Sequence, residues 1–467
     1  MKIVFACILV GALGVYGFAY AKSHHYLAPR LLSPTQSQAP TTENIALSTT
    51  TPQRIINKLT IEDTVPTSGK FIAADLVHMQ LYLYQDGATV GTYPILTKGR
   101  PRTPYETPSG FYSVLTKEKN HFNSGEKVNM PYSMEFYGNY FIHGWPTYQN
   151  GTPVASTYSG GCIRLSTDDA ALVYAFADRG VGVFVYDTGS AATTSASLTL
   201  NPAMLPKISA ASYLVADIDT GDVYAEQNAS QPHAIASVTK LMTALVANET
   251  IMFDRKIEVP RDRLAHATTT EDSSPTTFVV GDLLYPLLME SNNKIADTLA
   301  GYYGKGAFVS WMNAQAKALG MTNTIFADAS GVSADNISTP EDLYRLAVYL
   351  ANKKSFVWNI TRTPNKTITA GDGSTYSFNN FNQFSNLSSF VGGKVGHTTV
   401  AQDTMVSVFS LPVNQEVRRV AVVVLNSQDY TDDTKKLAEW FAQSASNTTN
   451  TACASCAQPE TYKKIEL

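Results

Sequence analysis

After a polar, Ser/Thr/Pro/Gln-rich stretch at residues 22–67, short apolar runs alternate with polar turns up to about residue 187. Phe71-Ile72-Ala73-Ala74-Asp75 and Gln80-Leu81-Tyr82-Leu83-Tyr84 read as strands, followed by a turn at Asp86-Gly87. The same texture recurs at 92–97, 110–115, 140–143 and 181–186, with one helical stretch at 167–178. Many short strands of this kind predict a small mainly-β sandwich or barrel. Past residue 206 the periodicity changes. A hairpin at 213–224 is followed by helical segments at 237–248, 281–303, 308–319 and 339–352, then strands at 404–411 and 417–425 and a helix at 433–443. A sheet built from both ends of a segment, with helices between, is an α/β (α+β) arrangement. The expected organisation is therefore multidomain: a β domain at 68–188, a linker at 189–207, an α/β domain at 208–443 and a disordered polar tail at 444–467.

At 467 residues the chain has room for such domains, and its formal charge of −4 argues against a nucleic-acid partner. Residues 3–21 form an apolar run ending in Ala19-Tyr20-Ala21, which reads as a secretory signal peptide or a membrane anchor. The protein is thus expected outside the cytoplasm: periplasmic or cell-wall-associated. Four cysteines are too few for a disulfide scaffold. Cys7 lies in the apolar run, and Cys453 and Cys456 form a lone C-x-x-C that reads as a local disulfide. Cys162 is left unpaired, so it either hides in a core or has chemistry to do.

Cys162 follows Ser159-Gly160-Gly161 and precedes Ile163-Arg164-Leu165, with His143 upstream at the end of the run Tyr140-Phe141-Ile142-His143-Gly144. A thiol attacks an amide as thiolate and needs a base, and a glycine pair lets backbone N–H groups approach a carbonyl. Arg164, two residues on, shares the strand face of Cys162 and suits a carboxylate. With Thr107-Pro108-Ser109-Gly110-Phe111-Tyr112 upstream, this pattern resembles the L,D-transpeptidase family (YkuD-type catalytic domain) over about residues 69–187. The resemblance implies Cys162 as nucleophile, His143 as base, and Ser159, Gly161 and Arg164 as the supporting substrate site. It implies a thioester with a cell-wall tetrapeptide stem, passed to an amine of another stem or to water. Gly160 stands where many members carry His.

A second nucleophile candidate is Ser237 in Ser237-Val238-Thr239-Lys240. At i and i+3 the two share a helix face, with Ser237 at the N-terminal end, where the dipole favours negative charge, and Lys240 one turn deeper, where desolvation lowers its pKa. Ser291-Asn292-Asn293 and Lys394-Val395-Gly396-His397 follow. In this order the three motifs resemble those of penicillin-recognising serine D,D-carboxypeptidases over about 208–443. The resemblance implies Ser237 as nucleophile, Lys240 as its base, Ser291 in proton relay, and Asn293, Lys394, Gly396 and His397 as substrate contacts. Val395 replaces the usual hydroxyl residue, Lys294 the usual Asp, and no arginine partner follows the strand at 420–425.

Together these resemblances imply a bifunctional enzyme of peptidoglycan, with stem peptides as substrates and β-lactams as covalent inhibitors. The alternative is an L,D-transpeptidase or L,D-carboxypeptidase whose degenerate serine domain only binds wall peptides. No metal or cofactor motif stands out, and neither chemistry requires one.

Overall fold

The computed structural model describes residues 61–187, 198, 200, 204–264, 273–413 and 416–446, which lie in one compact unit. The expected signal or anchor, most of both linkers, the polar tail beyond Ser446, and Cys7, Cys453 and Cys456 lie outside the described residues; residues 444–446, expected to open the tail, end the last helix instead. No described helix is long and apolar enough to cross a membrane.

A single helical turn, α1 (Ile61–Thr64), precedes the first domain, which holds two sheets. One has the order β3-β2-β1-β10-β4, from β1 (Lys70–Asp75), β2 (Gln80–Gln85), β3 (Ala88–Pro94), β4 (Gly110–Ser113) and β10 (Gly182–Tyr186). Strand β1 is central and pairs in parallel with β10, so Phe71, Ile72, Ala73 and Ala74 are all buried, which accounts for their unbroken apolar run. The other sheet runs β5-β6-β7-β9, from β5 (Thr116–Asn123), β6 (Val128–Tyr137), β7 (Tyr140–His143) and β9 (Ile163–Arg164), with the two-residue β8 (Thr147–Tyr148) beside β6. Ile72, Leu81 and Leu83 of the first sheet share one core with Met134, Phe136, Ile142 and Ile163 of the second. Helix α2 (Thr167–Phe176) closes the domain. Ser166 caps it, accepting from the Asp169 N–H at 3.0 Å, with Asp168 and Asp169 in the first turn.

The second domain is built on the antiparallel sheet β12-β11-β21-β20-β19: β11 (Ser212–Asp217), β12 (Val223–Gln227), β19 (Phe390–Thr398), β20 (Gln402–Val413) and β21 (Glu416–Ser427). Its strands do come from both ends of the domain. One face carries helices α3 (Lys240–Ile251), α4 (Val280–Met289), α5 (Asn293–Gly301), α6 (Lys305–Ala318), α7 (Pro340–Lys353) and α8 (Phe356–Thr361); the other carries α9 (Tyr430–Ser446). Three small pairs complete it: β13 (His233–Ala234) with β16 (Ile337–Ser338), β14 (Lys256–Pro260) with β15 (Pro275–Val279), and β17 (Asn365–Thr369) with β18 (Thr375–Asn379).

Among the elements that differ from the sequence expectation, three bear on the candidate sites. The segment 281–303 is two helices, not one. Ser291 takes φ +59° and Asn292 starts a new helix by accepting from the Ile295 N–H at 3.1 Å. An asparagine cap competes with helix continuation, and here it wins. The β5–β6 hairpin was unanticipated, because β5 (Thr-Lys-Glu-Lys-Asn-His-Phe-Asn) has no apolar alternation. Strand β19 was unanticipated because its glycines dilute the β signal.

The two domains pack directly. The Tyr112 hydroxyl donates to Gln315 Oε1 at 3.2 Å, and Ala318 and Trp311 of α6 join the first domain's core. The Asn248 amide donates to the Pro104 carbonyl at 2.9 Å, and the Asn139 amide donates to the Thr250 carbonyl. Fully buried Lys354 donates to the carbonyls of Pro104 (3.1 Å) and Glu106 (2.9 Å) and sits 3.8 Å from the buried Glu249 carboxylate.

Candidate active sites

Strands β7 and β9 pair in parallel with His143 opposite Arg164 and Ile142 opposite Ile163. Ile142 and Ile163 enter the core, so Phe141 and His143 share the opposite face with Cys162 and Arg164. That face lines a cavity of about 240 Å³ containing His143, Cys162 and Arg164. The Cys162 turn is pinned by Ser159, whose hydroxyl accepts from the Gly161 N–H (3.0 Å) and donates to the Cys162 carbonyl (2.6 Å). Gly161 has φ +118°, and a Cβ there would lie 2.1 Å from the Tyr140 ring. Only glycine fits.

His143 Nδ1 lies 2.6 Å from the Gly144 carbonyl, a contact that requires the Nδ1–H tautomer. Nε2 is then the proton acceptor, and it is buried without a partner among the described residues. Burial drives the His143 pKa down to about 3. Burial pushes the half-buried Cys162 thiol up to about 11, against the Phe141 N–H and the Arg164 charge, which favour thiolate. Near neutral pH the Cys162 thiol and the His143 imidazole are therefore both uncharged. Arg164 is 5 % exposed, its Nε and Nη1 lack partners among the described residues, and its guanidinium lies 5.9 Å from the Trp145 ring centroid. An unpaired guanidinium this buried is a ready site for an anion.

In the second domain Ser237 sits on a 3₁₀ turn (Ala236–Thr239) that leads into α3, rather than on the α-helix itself. Lys240, fully buried, donates from Nζ to Ser237 Oγ at 2.9 Å, to Asn293 Oδ1 at 2.7 Å and to the Ser330 carbonyl. Burial lowers its pKa to about 7. Ser291 Oγ is buried with no partner among the described residues, on the left-handed backbone that separates α4 from α5. The helix break is what starts α5 at Asn293 and so brings Asn293 to Lys240. Lys394 is buried in β19, donates to the Val395 carbonyl at 2.7 Å, and has its pKa held well below the usual range by burial and by the Lys240 charge. Gly396 brings β19 against Ser237, because a Cβ there would lie 2.8 Å from the Ser237 backbone N. His397, next on the strand, is exposed and pairs with Asp403 at 2.7 Å. Val395 packs on the sheet's other core, with Phe384 and Phe390.

Two family models match, one described as an L,D-transpeptidase catalytic domain over residues 69–185, the other as D-alanyl-D-alanine carboxypeptidase over 199–429. The chain joins a domain of each family. The carboxypeptidase-family part is similar to a D-alanyl-D-alanine endopeptidase of Pseudomonas aeruginosa, 37 % identical over 174 residues, covering 35 % of this chain and 54 % of that one. It is also similar to a D-alanyl-D-alanine carboxypeptidase of Mycobacterium tuberculosis, 29 % identical over 208 residues, covering 43 % and 71 %. The chain spans about half the length of the first curated relatives it matches. Among solved structures, a cefotaxime-bound penicillin-binding protein of Listeria monocytogenes is 29 % identical, covering 50 % of this chain and 98 % of that one, with a TM-score of 0.44.

Sequence reasoning missed residues that reach each site through the fold. Ser330 was visible in the run Asp328-Ala329-Ser330-Gly331, but its carbonyl's contact with Lys240 carries no sequence signal. Trp145 beside Arg164 and the carboxypeptidase-family residues that face the Cys162 cavity were equally invisible.

Proposed function

We propose that the chain is a bifunctional peptidoglycan-remodelling enzyme acting outside the cytoplasm. In this reading Ser237 attacks the D-Ala-D-Ala amide of a pentapeptide stem. The neutral Lys240 amine takes the hydroxyl proton, the terminal D-Ala leaves, and water releases the trimmed tetrapeptide from the acyl-enzyme. Cys162 attacks the tetrapeptide while His143 Nε2 takes the thiol proton. The departing D-Ala amine is protonated in turn, and the thioester passes to an amine of another stem or to water. The one observation that carries the reading is that each nucleophile shares its site with a buried residue able to act as a base. Lys240 lies 2.9 Å from Ser237 Oγ, and His143, whose Nε2 has no partner among the described residues, lines the cavity of Cys162.

Further roles fit the same scheme. Ser291 relays a proton, and Asn293 and Lys394 hold the peptide. The backbone N–H groups of Ser237 and His397 polarise its carbonyl. Ser159, Gly161 and Arg164 shape the thioester site. β-Lactams, as mimics of the D-Ala-D-Ala amide, acylate Ser237.

Val395 and Lys294 favour one variation, in which the serine domain hydrolyses D,D-crosslinks rather than terminal D-Ala, since Val395 offers no hydroxyl to a terminal carboxylate. The relatives named as endopeptidases point the same way. A fluorescent penicillin separates an active serine domain from a binding-only one. Covalent labelling that disappears in Ser237→Ala is expected; wild-type protein that takes no label reduces the chain to its cysteine chemistry.

A further inference from the structure

The cavity that holds Cys162 is not walled by its own domain alone. Asn248, Glu249, Met252, Arg255 and Tyr303, all from the carboxypeptidase-family domain, face into it. Asn248 and Glu249 lie near the C-terminal end of α3, the helix whose other end follows Ser237 and begins at Lys240. One helix of about 18 Å thus runs from the serine site to the wall of the cysteine site. The wall is fixed by the buried interdomain contacts of Asn248, Thr250 and Lys354.

Arg255 stands out on this wall. It is half-buried in a turn whose backbone is bonded on both sides: its N–H donates to the Met252 carbonyl (3.3 Å), and its carbonyl accepts from the Val280 N–H (2.9 Å). Its guanidinium reaches the β5–β6 turn, where a Cβ on Gly125 would lie 3.6 Å from Nη2. No hydrogen bond or ion pair holds that guanidinium among the described residues. The acids in the same cavity are Glu249, engaged by Lys354 and Tyr349, and Glu126 on the β5–β6 turn. Arg164 faces the cavity from the opposite domain, also with unpartnered nitrogens. Two guanidinium-bearing residues from two domains therefore line the cavity that holds the thiol.

We infer that the carboxypeptidase-family domain completes the donor-peptide cleft of Cys162, with Arg255 positioning a carboxylate of that peptide. This rests on the reading of Cys162 as a nucleophile toward wall peptides. The full chain tests it through alkylation of Cys162 by anionic iodoacetate against neutral iodoacetamide, in wild type, Arg255→Ala and Arg255→Lys. The iodoacetate-to-iodoacetamide rate ratio is expected to fall about fivefold in Arg255→Ala, the scale of one partly exposed charge pair, and to be largely restored in Arg255→Lys. Penicillin labelling of Ser237 serves as the folding control and should be unchanged. With a tetrapeptide muropeptide donor, KM should rise by a similar factor while kcat stays within about twofold. An unchanged ratio overturns the inference. So does a parallel loss of both alkylation rates and of the penicillin label that lysine does not restore, which would make Arg255 a packing residue. Wild-type protein inert toward muropeptides but with an Arg255-dependent ratio would uphold the anion cleft and remove the peptidoglycan reading.

Discussion

The pH dependence of Ser237 acylation follows from the burial of one amine. A solvated lysine with its ordinary pKa of 10.5 is neutral in roughly 3 molecules per 10,000 at pH 7. Burial brings Lys240 down to about 7, so half the molecules carry a neutral Nζ within 2.9 Å of the hydroxyl. The supply of base at neutral pH rises about 1,500-fold. The acylation rate by a fluorescent penicillin should therefore climb tenfold per pH unit below about 6 and level off above about 8, with its midpoint near 7. Lys240→Met keeps the stem and removes the base. It should slow acylation by roughly 10²–10⁴-fold and abolish the inflection. Stopped-flow labelling between pH 5 and 10 measures both. A wild-type profile flat across this range, or one that turns only near 10, would refute the assignment of Lys240 as the base.

Two further outcomes follow from packing. Lys354→Ala leaves the buried Glu249 carboxylate without its cation and the Pro104 and Glu106 carbonyls without their donor, and should cost about 3–5 kcal/mol in urea denaturation, whereas Lys354→Met combined with Glu249→Leu should recover most of that loss. Gly396→Ala places a methyl 2.7 Å from Thr404 Oγ1 and 2.8 Å from the Ser237 backbone N, so β19 must shift. Penicillin acylation should fall about 100-fold for a displacement near 1 Å, with Cys162 alkylation unaffected.

The sequence makes the candidate reacting groups visible and hides their surroundings. Ser237 and Lys240 are neighbours in the chain, so their contact could be anticipated from helix spacing, even though the turn proves to be 3₁₀. Cys162 and Arg164 follow the period of a strand, and pairing with β7 sets Phe141 and His143 on the same face. The break at Ser291 was hidden because the flanking residues of 281–303 keep a helical pattern, while one left-handed residue and one asparagine cap, both local, interrupt it. The polar strand β5 and the glycine-rich β19 are held by partners far along the chain, where intrinsic preference says little. The joint wall of the cysteine cavity is the extreme case. Arg255 and Cys162 are distant in sequence and in different domains, and only tertiary packing brings them to one cavity. The buried contacts of Lys354, Glu249 and Tyr112 between the two domains carry no sequence signal either.

The proposal of two linked reactions is tested most directly by mass spectrometry of products from a defined pentapeptide muropeptide. Wild-type protein should yield tetrapeptide and L,D-crosslinked dimer, and Cys162→Ala should stop at tetrapeptide. Ser237→Ala should leave pentapeptide intact yet crosslink added tetrapeptide. Crosslinks formed from pentapeptide by Ser237→Ala at the wild-type rate would contradict the account.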